Sequence, residues 1–152
     1  MNTLAGGKLK LVQAALRLIT ETRSLTSLGL RELAREAGLN PNTFYRHFKS
    51  LDEFGLQVLG YIAEDMKTGV RQLRQMADSS EQASHDTVTF VYRYFLANPA
   101  ATTVAVRELH GPSPVLRRAL EAQLDASARE MAEDILERGL VPGVDAAVVH
   151  EI

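Results

Sequence analysis

Apolar residues recur every three or four positions along most of the chain, which is the spacing of helices that bury one face. At the N-terminal end this spacing stops at a glycine and resumes after an asparagine and a proline, a combination that ends one helix and starts another. The pattern predicts three helices, over residues 8–23, over residues 30–37 with Gly38 as the stop, and from Asn40 and Pro41 to Phe48.

A long fourth helix is predicted next, and Ser50 and Glu53 mark its start. Their S-x-x-E spacing lets the serine hydroxyl and the glutamate carboxylate bond the unpaired amides of a first helical turn. Three further helices are predicted, over residues 85–97, over 99–109 with Asn98 as cap, and over 114–139 with Ser113 as cap. Residues 144–152 look like the start of an eighth helix, so we expect the fold to lack its C-terminal helices. No alternating strand pattern is present, which predicts an all-α protein.

The first three helices have the layout of a helix-turn-helix module, in which two short helices joined by a tight turn are braced by a third. Apolar side chains at helical spacing are expected to converge on a small shared core: Leu33, Ala37, Leu39, Phe44 and Phe48. The sequence therefore predicts a helix-turn-helix DNA-binding domain over residues 1–50. Residues 51–152 are predicted to form a helical-bundle domain for ligand binding and dimerisation, incomplete at the C-terminus.

Charge is divided unevenly between these two parts. Residues 1–50 hold eight Lys or Arg against three Glu, a net charge of +5, whereas the rest of the chain carries −7. This split favours a basic module that meets a polyanion, although a solvated charged surface is the simpler alternative. The chain has no cysteine, and no apolar run approaches the ~18 residues of a membrane span. We expect a cytoplasmic protein without a membrane partner.

Polar side chains of the third helix suit the recognition of DNA. With Phe44 and Phe48 turned inward, the residues between them face outward or flank the core. Arg46 can donate two bonds to guanine or bind a phosphate, and Asn42 can pair with adenine. The predicted DNA-binding residues are Arg31 in the first turn of the second helix, Asn42, Thr43, Tyr45, Arg46, His47 and Lys49, with Tyr45 and Lys49 assigned to phosphates.

Aromatic residues of the fifth helix and apolar residues of the fourth are candidates for a ligand pocket between helices. The candidates are Met66, Val70, Leu73, Phe90, Tyr94 and Phe95, and the alternative is that they are ordinary core. The sequence contains no G-x-S-x-G elbow and no phosphate-binding glycine loop, and the other histidines lack metal-ligand spacing. We therefore expect no enzyme, no cofactor and no metal site.

Two segments, Leu30-Arg31-Glu32-Leu33-Ala34-Arg35-Glu36-Ala37-Gly38 and Thr43-Phe44-Tyr45-Arg46-His47-Phe48, resemble the tetracycline-repressor (TetR) family of bacterial regulators. The resemblance covers about residues 8–60. It implies an all-α homodimer that binds a palindromic operator and usually represses, with the seven residues above at DNA-contacting positions. Gly29 departs from the family pattern, because relatives commonly carry Ser or Thr there to bond a phosphate.

Other stretches are similar to the repressors of unsaturated fatty acid synthesis, FabR and DesT. They are Ser24-Leu25-Thr26-Ser27-Leu28, Leu51-Asp52-Glu53-Phe54-Gly55-Leu56 and the region from Asn98-Pro99 to Arg107-Glu108-Leu109, together with Asn42-Thr43-Phe44-Tyr45-Arg46-His47-Phe48. This similarity implies a fatty acyl-CoA or related acyl thioester as the small hydrophobic effector. The effector is expected to wedge against the Met66–Leu73 part of the fourth helix, tilt it and change the distance between two DNA-binding modules.

Two other classes of function stay open at this point. A helical protein–protein interaction module would use its acidic body to bind a partner and would show no operator specificity. A small helical enzyme acting on an acyl thioester would show turnover. The charge division and the helix-turn-helix pattern favour the regulator.

Overall fold

The computed structural model describes residues 6–20, 23–76 and 79–137, so the predicted eighth helix over 144–152 lies outside the described residues. In the described part the chain is helical, with one isolated bridge between Thr20 and Arg23 and no β-strand. The all-α prediction is confirmed. The helices are α1 (Gly7–Leu18), α2 (Leu30–Glu36), α3 (Thr43–His47), α4 (Leu51–Met76), α5 (Ser80–Ala97), α6 (Pro99–Leu109) and α7 (Pro114–Glu137), with a 3-10 helix over Leu25–Ser27.

The N-terminal unit, made of α1, the 3-10 helix, α2 and α3, closes around the core that the spacing predicts. Leu33, Phe44 and Phe48 are almost fully buried, and Ala37 and Leu39 pack partly buried against them. Leu11 and Val12 of α1 are buried against the same cluster. Burial of several large apolar side chains in so short a segment supplies the driving force that helices of five and seven residues lack by themselves.

A left-handed glycine makes the turn between α2 and α3. Gly38 has φ +67°, a conformation that L side chains rarely adopt. The amide of Gly38 donates to Arg35 O at 3.0 Å and that of Leu39 to Ala34 O at 2.8 Å. These are the two bonds of a Schellman motif, which satisfies the last carbonyls of α2 while it redirects the chain. The predicted stop at Gly38 is confirmed.

The boundaries of α1 and α3 differ from the prediction. The first helix ends at Leu18 and not at residue 23, because extended Ile19 turns into the core and Arg23 N–H bonds Thr20 O in a tight turn. Helix α3 begins at Thr43 and not at Asn40, because the amides of Asn42 and Thr43 bond to a residue only two or three positions back, whereas helical bonds span four. Asn42 N–H donates to Asn40 Oδ1 at 3.0 Å, and Thr43 N–H to Asn40 O at 2.8 Å. Asn40 thus closes a turn before the helix rather than capping it.

The caps of the later helices are only partly as predicted. Ser50 Oγ accepts from Glu53 N–H at 3.1 Å, but the Glu53 carboxylate accepts from Lys49 N–H, one residue before the predicted partner. Ser113 Oγ accepts from Leu116 N–H at 3.3 Å and caps α7 as expected.

Two further expectations about helix starts are wrong. Asn98 does not cap α6 with its side chain, because its amide nitrogen donates back to Tyr94 O at the end of α5. The fifth helix begins at Ser80 instead of residue 85, because Ser79 Oγ accepts from Gln82 N–H at 3.1 Å. Ser79 is therefore the N-cap of α5.

The helical body consists of α4 to α7. The long helix α4 packs against α5, α6 and α7, and its first turns also contact α1 and the 3-10 helix. Buried Val58, Leu59 and Ile62 of α4 meet Val104 of α6 and Leu116 of α7 in one continuous core with the N-terminal unit. Over residues 6–20, 23–76 and 79–137, no helix combines the length and the apolar character needed to cross a bilayer.

Two glycines in α4 differ in the space around them, so substitutions there measure the effects of packing and of helix propensity separately. A Cβ at Gly69 would lie 2.8 Å from Phe90 Cε1, whereas a Cβ at Gly60 would meet nothing within 4 Å. We expect Gly60→Ala to stabilise the fold by about 0.5–1 kcal/mol, since alanine is the better helix former. We expect Gly69→Ala to be less stable than Gly60→Ala by about 1–3 kcal/mol, because the Phe90 ring must move. Urea unfolding midpoints of the two variants measure this difference, and equal midpoints would contradict it.

Candidate nucleic-acid interface and ligand cavity

Five predicted DNA-binding side chains are exposed on the N-terminal unit. We call this set the basic face: Arg31, Asn42, Tyr45, Arg46 and Lys49. The exposure of Tyr45 and Arg46 follows from the local fold, because Phe44 and Phe48 on either side of them turn into the core. Tyr45 illustrates the result, since 68% of this large side chain is exposed in a protein that buries its other α3 aromatic almost completely.

The two remaining predicted residues, Thr43 and His47, are half-buried. The His47 imidazole lies against the first residue of α1, where a Cβ on Gly7 would come within 3.0 Å of His47 Cδ2. His47 also neighbours the Phe48 ring, with centroids 6.4 Å apart. Its ring therefore packs between α3 and the start of α1, beside the basic face rather than within it.

Both described acidic residues of the N-terminal unit are held in ion pairs. Arg23 bonds the two carboxylate oxygens of Glu32 at 2.7 Å each, and Arg17 Nε bonds Glu36 Oε1 at 2.7 Å. The bond from Arg23 holds the pKa of Glu32 below its ordinary value. Among the described residues no ion pair engages Arg31, Arg46 or Lys49. The arginines that sequence charge alone assigned to a polyanion thus divide into paired ones and available ones.

An apolar cavity of about 460 Å³ lies inside the helical body. Its walls come from α4, α5, α6 and α7, and its size falls in the range of small-molecule sites. The lining is almost entirely apolar and comprises Leu59, Ile62, Ala63, Met66, Lys67, Phe95, Ala101, Thr102, Val104, Ala105, Val106, Leu109, Leu120, Gln123, Leu124 and Ser127.

A second cavity of about 360 Å³, called the polar cavity because charged side chains contribute to its lining, adjoins the apolar one and shares Met66, Lys67 and Ser127 with it. Three cationic residues of α4 line it, namely Lys67, Arg71 and Arg74. Two ion pairs at this end are long, with Lys67 Nζ 3.8 Å from Glu130 Oε1 and Arg71 Nη2 3.7 Å from Glu64 Oε2. Such separations exceed those of a good charge-assisted hydrogen bond, so these ion pairs hold Lys67 and Arg71 only weakly.

Only some of the predicted pocket residues line one of these two cavities. Met66 lines both cavities, Phe95 the apolar one and Val70 the polar one. Phe90, Tyr94 and Leu73 line neither. Phe90 packs against Gly69, and the Tyr94 hydroxyl donates to Asp65 Oδ2 at 3.0 Å. Burial raises the pKa of the Tyr94 phenol, and the bond to Asp65 adds to the shift.

Most of the cavity wall was not predicted, because it comes from α6 and α7. Val104 and Leu120 are typical, since their spacing marks them only as buried residues of a helix. Periodicity identifies a buried face, but it does not show whether that face meets another helix or an empty space.

A buried carboxyl joins α6 to the N-terminal unit. Glu108 is 0% exposed, and its Oε1 accepts from Leu25 N–H at 3.0 Å, with the amide of Thr26 close by. Within the described residues Glu108 Oε2 has no hydrogen-bond partner. Burial raises the pKa of the Glu108 carboxyl, and the two backbone amides and Arg107 oppose that rise. No local sequence signal indicates this contact, because its partners lie 83 residues apart.

Comparisons with known proteins agree with this geometry. Residues 11–56, which include α2, α3 and the start of α4, match the family model described as bacterial regulatory proteins, tetR family. The matched segment contains every residue of the basic face.

Solved structures of similar fold cover nearly the whole chain. The fatty acid degradation regulator FadR from Bacillus halodurans is 16% identical with a TM-score of 0.81, and the match covers 99% of this chain and 79% of that one. The transcriptional regulator FadR from Bacillus subtilis, solved in complex with stearoyl-CoA, is 14% identical with a TM-score of 0.73, covering 94% and 83%. The ketosteroid transcriptional regulator KstR2 of Mycobacterium tuberculosis is 18% identical with a TM-score of 0.65, covering 98% and 78%. Residues 11–56 therefore match the tetR family in sequence, and the chain shares the all-helical fold of these solved transcriptional regulators.

Proposed function

We propose that this protein is a transcriptional repressor that binds a palindromic operator as a homodimer and is released by a small apolar effector. The basic face carries the proposal, because its exposed cations and amide lie on the helix-turn-helix domain that the family model matches. Residues 1–50 supply the DNA-binding domain, and residues 51–152 supply the regulatory domain. Two copies of the basic face then enter successive major grooves about one helical turn apart.

Roles within the basic face follow from side-chain chemistry and position. Arg46 and Asn42 read base edges, because α3 presents them on its exposed side and their groups match guanine and adenine. Tyr45, Lys49 and Arg31 bind phosphates and position the module. Thr43 contacts a base or a thymine methyl from its half-buried position, and His47 contacts the DNA backbone beside the start of α1.

Arg46→Ala and Lys49→Ala are expected to fail in different ways. Arg46→Ala should weaken operator binding by about 1–3 kcal/mol and relax the preference at one base pair of each half-site. Lys49→Ala should weaken binding to all sequences alike, and each phosphate that it leaves unbound should lower the slope of log affinity against log salt by about 0.9. Selection from random duplexes, followed by titrations at two salt concentrations, measures both effects.

Arg118→Ala is the matched control, because Arg118 is an exposed arginine on α7, outside the N-terminal unit. It should change neither operator affinity nor the salt slope. An Arg46→Ala protein that keeps full affinity and unchanged base preference would show that α3 is not the reading helix. The absence of any enriched palindrome with the wild-type chain would favour the interaction module instead.

The effector proposed is a fatty acyl-CoA. An apolar cavity of about 460 Å³ suits an acyl chain, and the adjoining polar cavity offers Lys67 and Arg71 to an anionic headgroup. The FadR of Bacillus subtilis in its stearoyl-CoA complex supports the same ligand class. The similar fold of a ketosteroid regulator means that the fold alone does not decide the ligand, so the ligand class is inferred from the paired cavities.

Stearoyl-CoA is expected to bind the protein and weaken its operator affinity, whereas CoA without an acyl chain should do neither. Ala63→Phe should abolish the response, since the new ring occupies the apolar cavity that Ala63 lines. Lys67→Ala should weaken stearoyl-CoA binding by several fold, because it removes a cation that binds the headgroup. Calorimetric titration and operator binding measure these effects, with Arg118→Ala as the control for removal of a distant cation.

Equal responses of wild type and Ala63→Phe would place the ligand outside the apolar cavity. A protein that binds its operator but ignores every acyl-CoA would remain a repressor with a different effector.

A further inference from the structure

Helix α6 contacts the apolar cavity and the N-terminal unit at once. Val104, Ala105 and Leu109 line the cavity, and all three lie within about one helical turn of Glu108. Glu108 itself reaches the other way, to the amides of Leu25 and Thr26. A displacement of this part of α6 by a ligand therefore moves the Glu108 carboxyl with it.

No other group can replace the Glu108 carboxyl as the acceptor for the Leu25 amide. Leu25 and Thr26 open the 3-10 helix, and the first amides of a helix have no partner within the helix. Because the site is buried, water cannot take over from the carboxyl oxygen when it leaves. Leu25 must follow α6 or lose its hydrogen-bond partner.

The partner segment leads directly to the basic face. The 3-10 helix ends at Ser27, and α2 begins at Leu30, followed at once by Arg31. Leu25 also packs against α4, because a Cβ on Gly55 would lie 3.3 Å from Leu25 Cδ2. A shift of the 3-10 helix thus changes the position of α2 relative to the body.

We propose that Glu108 is the positioning residue that couples occupancy of the apolar cavity to the orientation of the N-terminal unit. Ligand bound against Val104, Ala105 and Leu109 displaces α6, and the Glu108 carboxyl transmits the displacement to Leu25 and α2. This inference rests on the proposed function, because it takes the cavity as the effector site. It does not depend on which effector binds there.

The coupling is tested with a cavity-filling substitution that replaces the ligand. Ala105→Phe places a ring in the apolar cavity from α6, so it mimics an effector of any chemistry. It is combined with Glu108→Met, which keeps the length of the side chain but removes the acceptor, and with Glu108→Gln, which keeps an acceptor oxygen. Glu121→Met, on the exposed surface of α7, is the matched control.

With Glu108 present, Ala105→Phe should weaken operator binding at least about fivefold, the lower end of ordinary allosteric coupling. In the Glu108→Met background the same substitution should change operator affinity less than about twofold, and Glu108→Gln should restore most of the effect. Glu121→Met should leave the coupling intact. An Ala105→Phe effect of equal size in the wild-type and Glu108→Met backgrounds would overturn the proposal.

Hydrogen exchange provides a readout that needs neither operator nor effector. The Leu25 and Thr26 amides should exchange at least about tenfold faster in Glu108→Met than in wild type, and near the wild-type rate in Glu108→Gln. Ala105→Phe should alter their exchange only when residue 108 carries an acceptor. Unchanged exchange in Glu108→Met would equally overturn the proposal.

Gly111→Ala replaces Glu108→Met as the test variant if Glu108→Met fails to fold. A Cβ at this position would lie 2.9 Å from Glu108 Oε2, so it displaces the carboxyl without altering it. Gly111→Ala should then weaken both the coupling and the amide protection, and no change in either would contradict the role of Glu108. Loss of the stearoyl-CoA response alone would reject the acyl-CoA effector and leave this coupling in place.

Discussion

Three phenylalanine rings join the N-terminal unit to the helix that carries the cavity. Phe44 of α3 and Phe48, the residue that follows α3, pack against Phe54 of α4 with ring centroids 5.5 and 5.1 Å apart, both in edge-on geometry. Each ring is almost fully buried, so the cluster combines a large apolar area with a defined relative angle. A five-residue helix cannot hold its own orientation, and this contact fixes α3 against α4. The exposure of Arg46 and Tyr45 depends on it.

The sequence predicted this part of the molecule well because the relevant signals are local. Phe44 and Phe48 are four residues apart, which places them on one side of any helix, and Gly38 permits the left-handed turn that separates α2 from α3. The start of α3 was placed too early because Asn40 and Pro41 suit both a cap and a turn. Only the bonds of Asn42 and Thr43 to Asn40 distinguish the two.

The helical body was harder to predict because its cavities and contacts are formed by residues far apart in the sequence. Aromatic residues of α5 were natural pocket candidates, yet Phe90 packs against Gly69 and the Tyr94 hydroxyl donates a hydrogen bond to Asp65. The same limit applies to charge. Arg17 and Arg23 belong to the basic half of the sequence, but their bonds to Glu36 and Glu32 use them to brace the N-terminal unit. A net charge of +5 gives the sign of a surface, and pairing decides which cations remain available on it.

Two connections run from the cavity to the N-terminal unit, and they differ in strength. Helix α4 is continuous with that unit and is fixed to it by the buried Phe54 cluster, whereas α6 reaches it through packing on α1 and the Glu108 bonds. Allosteric coupling is typically worth only about 1–3 kcal/mol. A buried amide that loses its hydrogen-bond partner costs about 1–3 kcal/mol, while truncating a buried phenylalanine costs about 3–5 kcal/mol. Under the proposed coupling, the contact at α6 is therefore weak enough for an effector to overcome, whereas the aromatic cluster is strong enough to keep α3 fixed to α4.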